Sequence, residues 1–327
     1  MATTTATSGP GARSGSGSGS GSELAALLRQ VDPRRRRTDL LMRVVITGAF
    51  ALAMVPLVSV AWTVVSHGVE RFDAYFLTHS MRGVFGGVDA GGIYHAIVGT
   101  VEITALATLI SVPIGLLTAV YLVEYGRGPL AKAVTFFVDV MTGIPSIVAG
   151  LFAYALFAVV LGPGVRMGVV GSVALSVLMI PVVVRSSEEM LRLVPNELRE
   201  AALALGVPRW LVVVKVVLRT AVAGIVTGVM IAIARIIGET APLLITVGVA
   251  DSINFNLFEG RMMTLPVYVY RQFQQGLIPC SADDMSCIAT ITYDRAWAAA
   301  LTLILVVMLL NLVARLVTRL FAPKTTV

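Results

Sequence analysis

Long apolar segments alternate with short polar ones along most of the sequence. Five uncharged runs are long enough to cross the hydrocarbon layer of a membrane, which needs about 20 residues. They cover residues 44–65, 103–123, 140–165, 167–184 and 296–314. A sixth run, residues 220–250, is apolar except at Arg235 and Glu239. The pattern predicts an all-α polytopic membrane protein with six transmembrane helices.

Glycine and proline predict turns and breaks within this pattern. Residues 162–164 read Gly-Pro-Gly between the third and fourth runs, which predicts a tight hairpin turn between two spans. The sixth run is longer than a single span requires, so it has room for a tilt or for a break near Gly238 and Pro242.

Composition supports a membrane protein and divides the chain. Of the 327 residues, 57% are hydrophobic and only 13% charged, with a mean hydropathy of +0.87, which excludes an ordinary soluble domain. The first 22 residues are mainly Ser, Gly, Thr and Ala. We predict a disordered, basic cytoplasmic tail over residues 1–40, a first transmembrane helix over 41–66 and a core over 94–320.

The basic residues predict the orientation of the chain. With the N terminus inside, 18 of the 25 Lys and Arg residues are cytoplasmic, six lie on the other side and Arg235 lies in the membrane. This bias predicts that both termini are cytoplasmic. It also explains the pI of about 9.6 without a nucleic-acid partner, because most of the excess charge flanks the spans on one side.

The coupling loop, residues 186–218, is the longest internal loop on the predicted cytoplasmic side. Pro195 suits the first turn of a helix, and Gly206 followed by Pro208 suits its end, so we predict a short helix, a turn and a second helix. Arg199 and Glu200 should point away from an apolar face. That face comprises Leu198, Ala201, Ala202 and Leu205. With no soluble domain to cover it, this face predicts a partner protein.

The segment REAALALG, residues 199–206, resembles the EAA loop of ABC importer permeases. The residues at the family spacing are Glu200, Ala201, Ala202 and Gly206. After nine further residues the family motif has Ile, any residue, Leu and Pro. This chain has Val216, Val217, Leu218 and Arg219 there. The missing proline departs from the general motif, but phosphate importer permeases of the PstA type commonly carry a basic residue at that position.

Further segments resemble the PstA type and together cover most of residues 94–250. They are VPIGLLTAVYLVEY (112–125), GIPSIVAG (143–150), PVVVRSSEEMLRLVPNELREAALALG (181–206) and IARIIGETAPLL (233–244). The resemblance implies a type I ABC importer permease fold and a multi-pass protein in the plasma (cytoplasmic) membrane of a prokaryote. It also implies that a cytoplasmic coupling helix, with Glu200, Ala201, Ala202 and Gly206, docks on an ATPase.

The resemblance also implies the partners of the chain. They are a second permease of the PstC type, an ATPase dimer of the PstB type that binds ATP and Mg²⁺, and an extracytoplasmic phosphate-binding protein of the PstS type. No Gly-Lys dipeptide occurs in the sequence, so it has no Walker A phosphate loop. We therefore expect a transport subunit that is not itself an enzyme and binds no cofactor.

Charges inside a span are costly, and their default interpretation is functional. Arg235 and Glu239 are spaced i and i+4, so on one helix they could contact each other. The arginine fork suits a phosphate oxyanion, while the alternative is a permanent ion pair that only locks helices. The resemblance assigns Arg235 to the substrate path. Arg185 is either a path residue or an ordinary positive-inside arginine.

Cys280 and Cys287 lie in the outer loop, residues 251–295, on the predicted oxidising side. A disulfide is expected there and a metal site is not, because two thiols are too few. The three histidines, His67, His79 and His95, have no metal-ligand spacing and are interpreted as surface residues.

Several functions remain open at this stage. The favoured one is a phosphate importer permease, and the alternative is a permease for sulfate, molybdate or a phosphonate. An intramembrane enzyme is disfavoured, because no span carries paired aspartates, a His-rich metal motif or a Ser/His dyad. A non-transporting membrane scaffold would not explain charges at mid-membrane.

Overall fold

The computed structural model describes residues 33–281 and 286–321. Most of the predicted tail, residues 1–32, lies outside the described residues. Helix α1 spans Pro33–Gly68, so residues 33–40, which we assigned to the tail, form its first turns instead. Contacts divide the chain into two compact units, Met1–Ala61 and Trp62–Val327.

Eleven further α-helices follow in the described residues. They are α2 (Ala74–Thr78), α3 (Tyr94–Val120), α4 (Pro129–Thr142), α5 (Ser146–Leu161), α6 (Gly168–Arg192), α7 (Asn196–Ala204), α8 (Arg209–Val212), α9 (Leu218–Ile237), α10 (Ala241–Thr246), α11 (Leu265–Gln275) and α12 (Ile291–Phe321). A 3₁₀ turn, Val69–Arg71, follows α1, and π-helical turns Tyr121–Tyr125 and Val213–Val217 follow α3 and α8.

Five helices in the described residues are long and apolar enough to cross a membrane, and α4 with α5 makes a sixth if that bent pair is one span. The predicted all-α, multi-pass fold is confirmed. A continuous helix over the span predicted at residues 140–165 is wrong, because a bend of 108° separates α4 from α5. The bend lies at residues 143–145, where Gly143 ends one helix and Pro145 precedes the next.

Other turns lie where the sequence predicts them. A turn at residues 162–164 joins α5 to α6, and α9 ends at Ile237, before Gly238. In the coupling loop, α7 is followed by Gly206 at φ +78°, a conformation that favours glycine, and then by α8. Pro195 precedes α7 instead of occupying its first turn.

Small residues allow α3 and α6 to pack closely. The hydroxyl of Ser172 donates to the Ile103 carbonyl at 3.1 Å, and a Cβ at Gly115 would lie 2.7 Å from Val183 Cγ1. Association of helices in lipid depends on such close packing and interhelical hydrogen bonds, because burial from lipid supplies no hydrophobic driving force. This pair therefore forms a support on which α9 and α5 pack.

Helices α9 and α5 pack around the same support. A Cβ at Gly228 of α9 would lie 2.6 Å from Ser186 Cβ of α6, and a Cβ at Gly150 of α5 would lie 2.6 Å from Pro242 Cα of α10. The second contact holds the segment after the α9 break against α5. Close glycine contacts thus fix the position of the break that follows Arg235 and contains Glu239.

Candidate functional site

Arg235 lies in the last turn of α9, directly before the break in this span. Its side chain is exposed, and it makes no hydrogen bond or ion pair with any other described residue. Glu239 is half-buried in the connection to α10, where its backbone N–H donates to the Ile236 carbonyl at 3.2 Å. A membrane span therefore presents an arginine whose guanidinium has no partner among the described residues of its own chain.

The expected geometry of Arg235 and Glu239 is wrong. The i and i+4 spacing places both on one helical face only if the helix continues through Glu239, but α9 ends at Ile237. Within the part of the chain that the structure describes, the two side chains form no ion pair. A permanent lock between these two charges is therefore not present in this structure.

An apolar cavity of about 600 Å³ opens beside the break. Thr240 and Leu244 line it on the α10 side, Ile147 on the α5 side, and Val269 and Phe273 on α11. The connection that contains Glu239 therefore borders a mainly apolar cavity surface. The charged groups at this end of α9 are those of Arg235 and Glu239.

Arg185 occupies a different position from Arg235. Its guanidinium forms an ion pair with Asp139 of α4 and donates to Glu188 at 2.8 Å, and Glu188 also accepts from Arg192 at 2.5 Å. Gly228 of α9 lies against Ser186, which directly follows Arg185 in the sequence. Arg235 is seven residues further along α9, so it lies about 10 Å from this contact along the helix axis. The structure does not bring Arg185 and Arg235 together, and Arg185 holds α4 to α6.

The coupling helix α7 presents one face outward and anchors the other. Glu200 and Ala201 are exposed, as are Leu198 and Leu205, whose exposed fractions are 44% and 83%. Ala202 is half-buried against the hydrophobic cluster that includes Leu191, Val194 and Val212. Only part of the predicted apolar face is thus free to contact a partner.

Arg199 was predicted to point away from the apolar face, and it bonds to the inner side of the chain, away from the exposed Leu198 and Leu205. Its Nη1 donates to the Val194 carbonyl at 2.5 Å, its Nη2 to the Leu191 carbonyl at 2.8 Å, and its Nε to Glu124 at 3.0 Å. These bonds fasten α7 to the end of α6 and to the π-helical turn after α3. Nothing in the spacing of the sequence indicated this role, because Glu124 is 75 residues away.

The outer loop is tied to the segment that precedes α3. Cys280 and Cys287 form a disulfide, and Cys287 pairs with Val88 in an isolated antiparallel bridge. His67 and His79 are exposed as expected, but His95 is fully buried and packs edge-on against Tyr268, with ring centroids 5.7 Å apart. The surface interpretation of His95 is therefore wrong.

Glu102 is a polar residue whose position the sequence did not reveal. It lies in the third turn of α3 and is half-buried, with its Oε2 buried and without a hydrogen-bond partner among the described residues. Thr100, on the same helix, accepts the Leu265 N–H at 2.8 Å and so joins α3 to α11. The Glu102 Oε2 and the Thr100 hydroxyl therefore face protein.

Comparison with known proteins relates the chain to transport permeases. Residues 111–327 match the family described as "Binding-protein-dependent transport system inner membrane component". The chain is 46% identical over 291 residues to the phosphate transport system permease protein PstA of Mycobacterium leprae (strain TN), covering 88% of this chain and 91% of the relative. For the PstA protein of Pasteurella multocida (strain Pm70) the identity is 43% over 231 residues, with coverages of 70% and 76%.

Solved structures with a similar fold are also permeases of ABC transporters. A bacterial alginate ABC transporter aligns with a TM-score of 0.60 at 15% identity, covering 90% of this chain and 99% of that one. The MetNI methionine ABC transporter in an inward-facing conformation aligns with a TM-score of 0.51 at 20% identity, covering 71% and 95%. At these identities the likeness establishes the ABC importer permease fold alone.

Proposed function

Because this chain belongs to the family of binding-protein-dependent transport system inner membrane components, we propose that it is the permease subunit of an ATP-driven phosphate importer. It forms half of the translocation path, and a second permease of the PstC type forms the other half. An ATPase dimer of the PstB type binds ATP and Mg²⁺, and a phosphate-binding protein of the PstS type delivers the substrate.

The single observation that carries this proposal is the unpartnered Arg235 at a break in a membrane span. A charge in a span is retained at a cost of a few kcal/mol, so it needs a function. Its planar guanidinium can form paired hydrogen bonds to a phosphate oxyanion. Glu239, in the adjacent connection, can accept a hydrogen bond from a protonated phosphate oxygen, which sulfate at neutral pH lacks.

The coupling helix α7 supports transmission of force from the ATPase. Glu200 and Ala201 are exposed on its outer face, while Arg199 and Ala202 anchor its inner face. An ATPase bound to the outer face of α7 would move α6 and α3 together with α7. We place this loop and both termini in the cytoplasm, since Lys and Arg residues concentrate on that side.

The test is uptake of radiolabelled phosphate by proteoliposomes that contain the assembled complex. Unlabelled phosphate should compete, whereas sulfate, molybdate and phosphonates should not. Arg235→Lys keeps the charge but loses the planar fork, so uptake should fall roughly tenfold or more while assembly and ATP hydrolysis persist. Arg82→Lys, an exposed arginine outside the site, is the matched control.

The role of Glu239 follows from the same assay. Because Arg235 and Glu239 are not paired in this structure, Glu239→Gln should not rescue Arg235→Gln. Wild-type uptake by Arg235→Lys, or recovery of uptake in the double variant, would refute the ligand role of Arg235.

A further inference from the structure

A second cavity, which is polar, lies on another side of α11 from the apolar one. This outer cavity has a volume of about 360 Å³. Its polar lining residues are Asp251, Arg271, Gln272, Gln275 and Arg295. At roughly 30 Å³ per water molecule, it has room for a small oxyanion together with several waters.

Arg295, in the first turns of α12, is the central feature of the outer cavity. It is only 2% exposed, and its Nη2 donates to the carbonyls of Val88 at 2.7 Å and Ala90 at 2.8 Å. The Nε atom of Arg295 is buried and has no hydrogen-bond partner among the described residues. No carboxylate of those residues forms an ion pair with Arg295. A buried guanidinium that no carboxylate bonds directly is costly, so this position suits an anion.

No neighbouring carboxylate in the described part of the chain bonds directly to Arg295. Arg271 forms an ion pair with Asp251 at 2.5 Å, and Arg71 forms one with Asp89. The Ala90 carbonyl accepts from both Arg71, at 3.1 Å, and Arg295, so these two guanidinium groups are close neighbours. The carboxylates of Asp89 and Asp294 act on Arg295 only through space.

Two buried polar groups on α11 are unpaired within the described part of the chain, and one of them, on Gln272, lines the cavity. Gln272, which lines the cavity, is 2% exposed and its Oε1 has no hydrogen-bond partner among the described residues. The same holds for the hydroxyl of Tyr268, one turn earlier, and burial raises the pKa of Tyr268 above its ordinary range. Donors on arginine together with an amide acceptor match an oxyanion that still carries a proton.

We propose that the outer cavity binds one inorganic phosphate ion, held by Arg295, Arg271 and Gln272, before the ion reaches Arg235. The identity of the anion rests on the proposed function. Water could satisfy the unpaired polar atoms, but it would not give the Arg295 guanidinium a directly bonded negative charge. A phospholipid headgroup offers the same phosphate chemistry, and the experiment distinguishes it from the free ion.

The probe is radiolabelled inorganic phosphate, measured by equilibrium dialysis on the complex in nanodiscs without the phosphate-binding protein. An Arg235→Gln background removes the site at the α9 break, and saturable binding should remain. Gln272→Glu places a carboxylate in the cavity that Arg295 also lines, so it competes with a bound anion and should weaken binding roughly tenfold or more. Gln274→Glu makes the same change at an exposed residue outside the cavity and should bind like the background.

Thermal unfolding of the same samples gives a second readout. Added phosphate should stabilise the background and the Gln274→Glu variant but not Gln272→Glu. If Gln272→Glu does not assemble, Gln272→Leu removes the amide acceptor and should also weaken binding. Equal binding by the Gln272 and Gln274 variants would overturn the proposal, as would a tightly bound phospholipid, seen by native mass spectrometry, that is lost only in Gln272→Glu.

Uptake by the wild-type complex separates this proposal from the proposed function. If the wild type imports no phosphate, the proposed function fails. If the wild type imports phosphate but the Gln272 variants bind it as the background does, only the outer site fails.

Discussion

The anchoring of α7 by Arg199 makes a prediction about how the coupling helix is held. Arg199→Met keeps much of the apolar stem but removes the bonds to the Val194 and Leu191 carbonyls and to Glu124. The Arg199 and Glu124 side chains are 15% and 13% exposed, so the remaining carboxylate would be largely buried without its partner.

The magnitude follows from this burial. Breaking one side of a fully buried pair costs about 3–5 kcal/mol. Because both side chains keep some contact with solvent, we expect the free energy of local unfolding of α7 to fall by about 2–3 kcal/mol. This corresponds to roughly a 30- to 150-fold increase in local opening of α7. The spans should stay folded, because their packing does not involve Arg199.

Hydrogen–deuterium exchange of the assembled complex measures this opening. Amides of α7 should exchange faster in Arg199→Met by that factor, and phosphate uptake per ATP hydrolysed should fall. Arg209→Met is the matched control, because Arg209 is an exposed arginine of the same loop. Adding Glu124→Gln should recover part of the stability, since it removes the unpaired charge. Equal exchange of α7 in the two arginine variants would show that the bonds of Arg199 do not hold the helix.

Two further predictions concern the loops. Glu200 is exposed, so Glu200→Arg should leave membrane insertion intact while abolishing uptake, and normal uptake by a stably inserted variant would contradict the coupling role. Reduction of the Cys280–Cys287 disulfide should raise the mass of the peptide that contains both residues by about 2 Da. Replacing both cysteines by serine should loosen the outer loop, at a cost of about 2 kcal/mol for so short a ring, but leave oxyanion preference unchanged. A changed preference would show that the disulfide shapes the substrate site.

The spans and most breaks could be predicted because lipid imposes a simple rule on sequence. A span must be apolar and must satisfy its own backbone hydrogen bonds, so length and hydropathy identify it. The bend at residues 143–145 was missed, although Gly143 and Pro145 were visible, because the apolar run continues through it without a charge. Hydropathy indicates whether a segment lies in lipid, but it does not indicate the direction in which the helix axis runs.

The site could be predicted only where a single residue carried the signal. Arg235 stands out because it is charged within an apolar run, whereas its geometry depends on where α9 ends. The burial of His95, Gln272 and Arg295 could not be predicted, because it depends on how α3, α11 and α12 pack. Arg199 has the appearance of a solvated charge in the helical pattern, because its partners are carbonyls and a carboxylate that no spacing rule locates.

The bend at residues 143–145 lies between two fixed segments. The Arg185 ion pair with Asp139 ties α4 to α6, and the contact between Gly150 and Pro242 ties α5 to α10. Any change in the angle between α4 and α5 must therefore come from rotation about the backbone torsions of these three residues. The ring of Pro145 removes one of those torsions. The bend thus acts as a hinge with few free torsions. It links α4, which the Arg185 ion pair ties to α6, with α5, which contacts the α10 segment that follows Arg235.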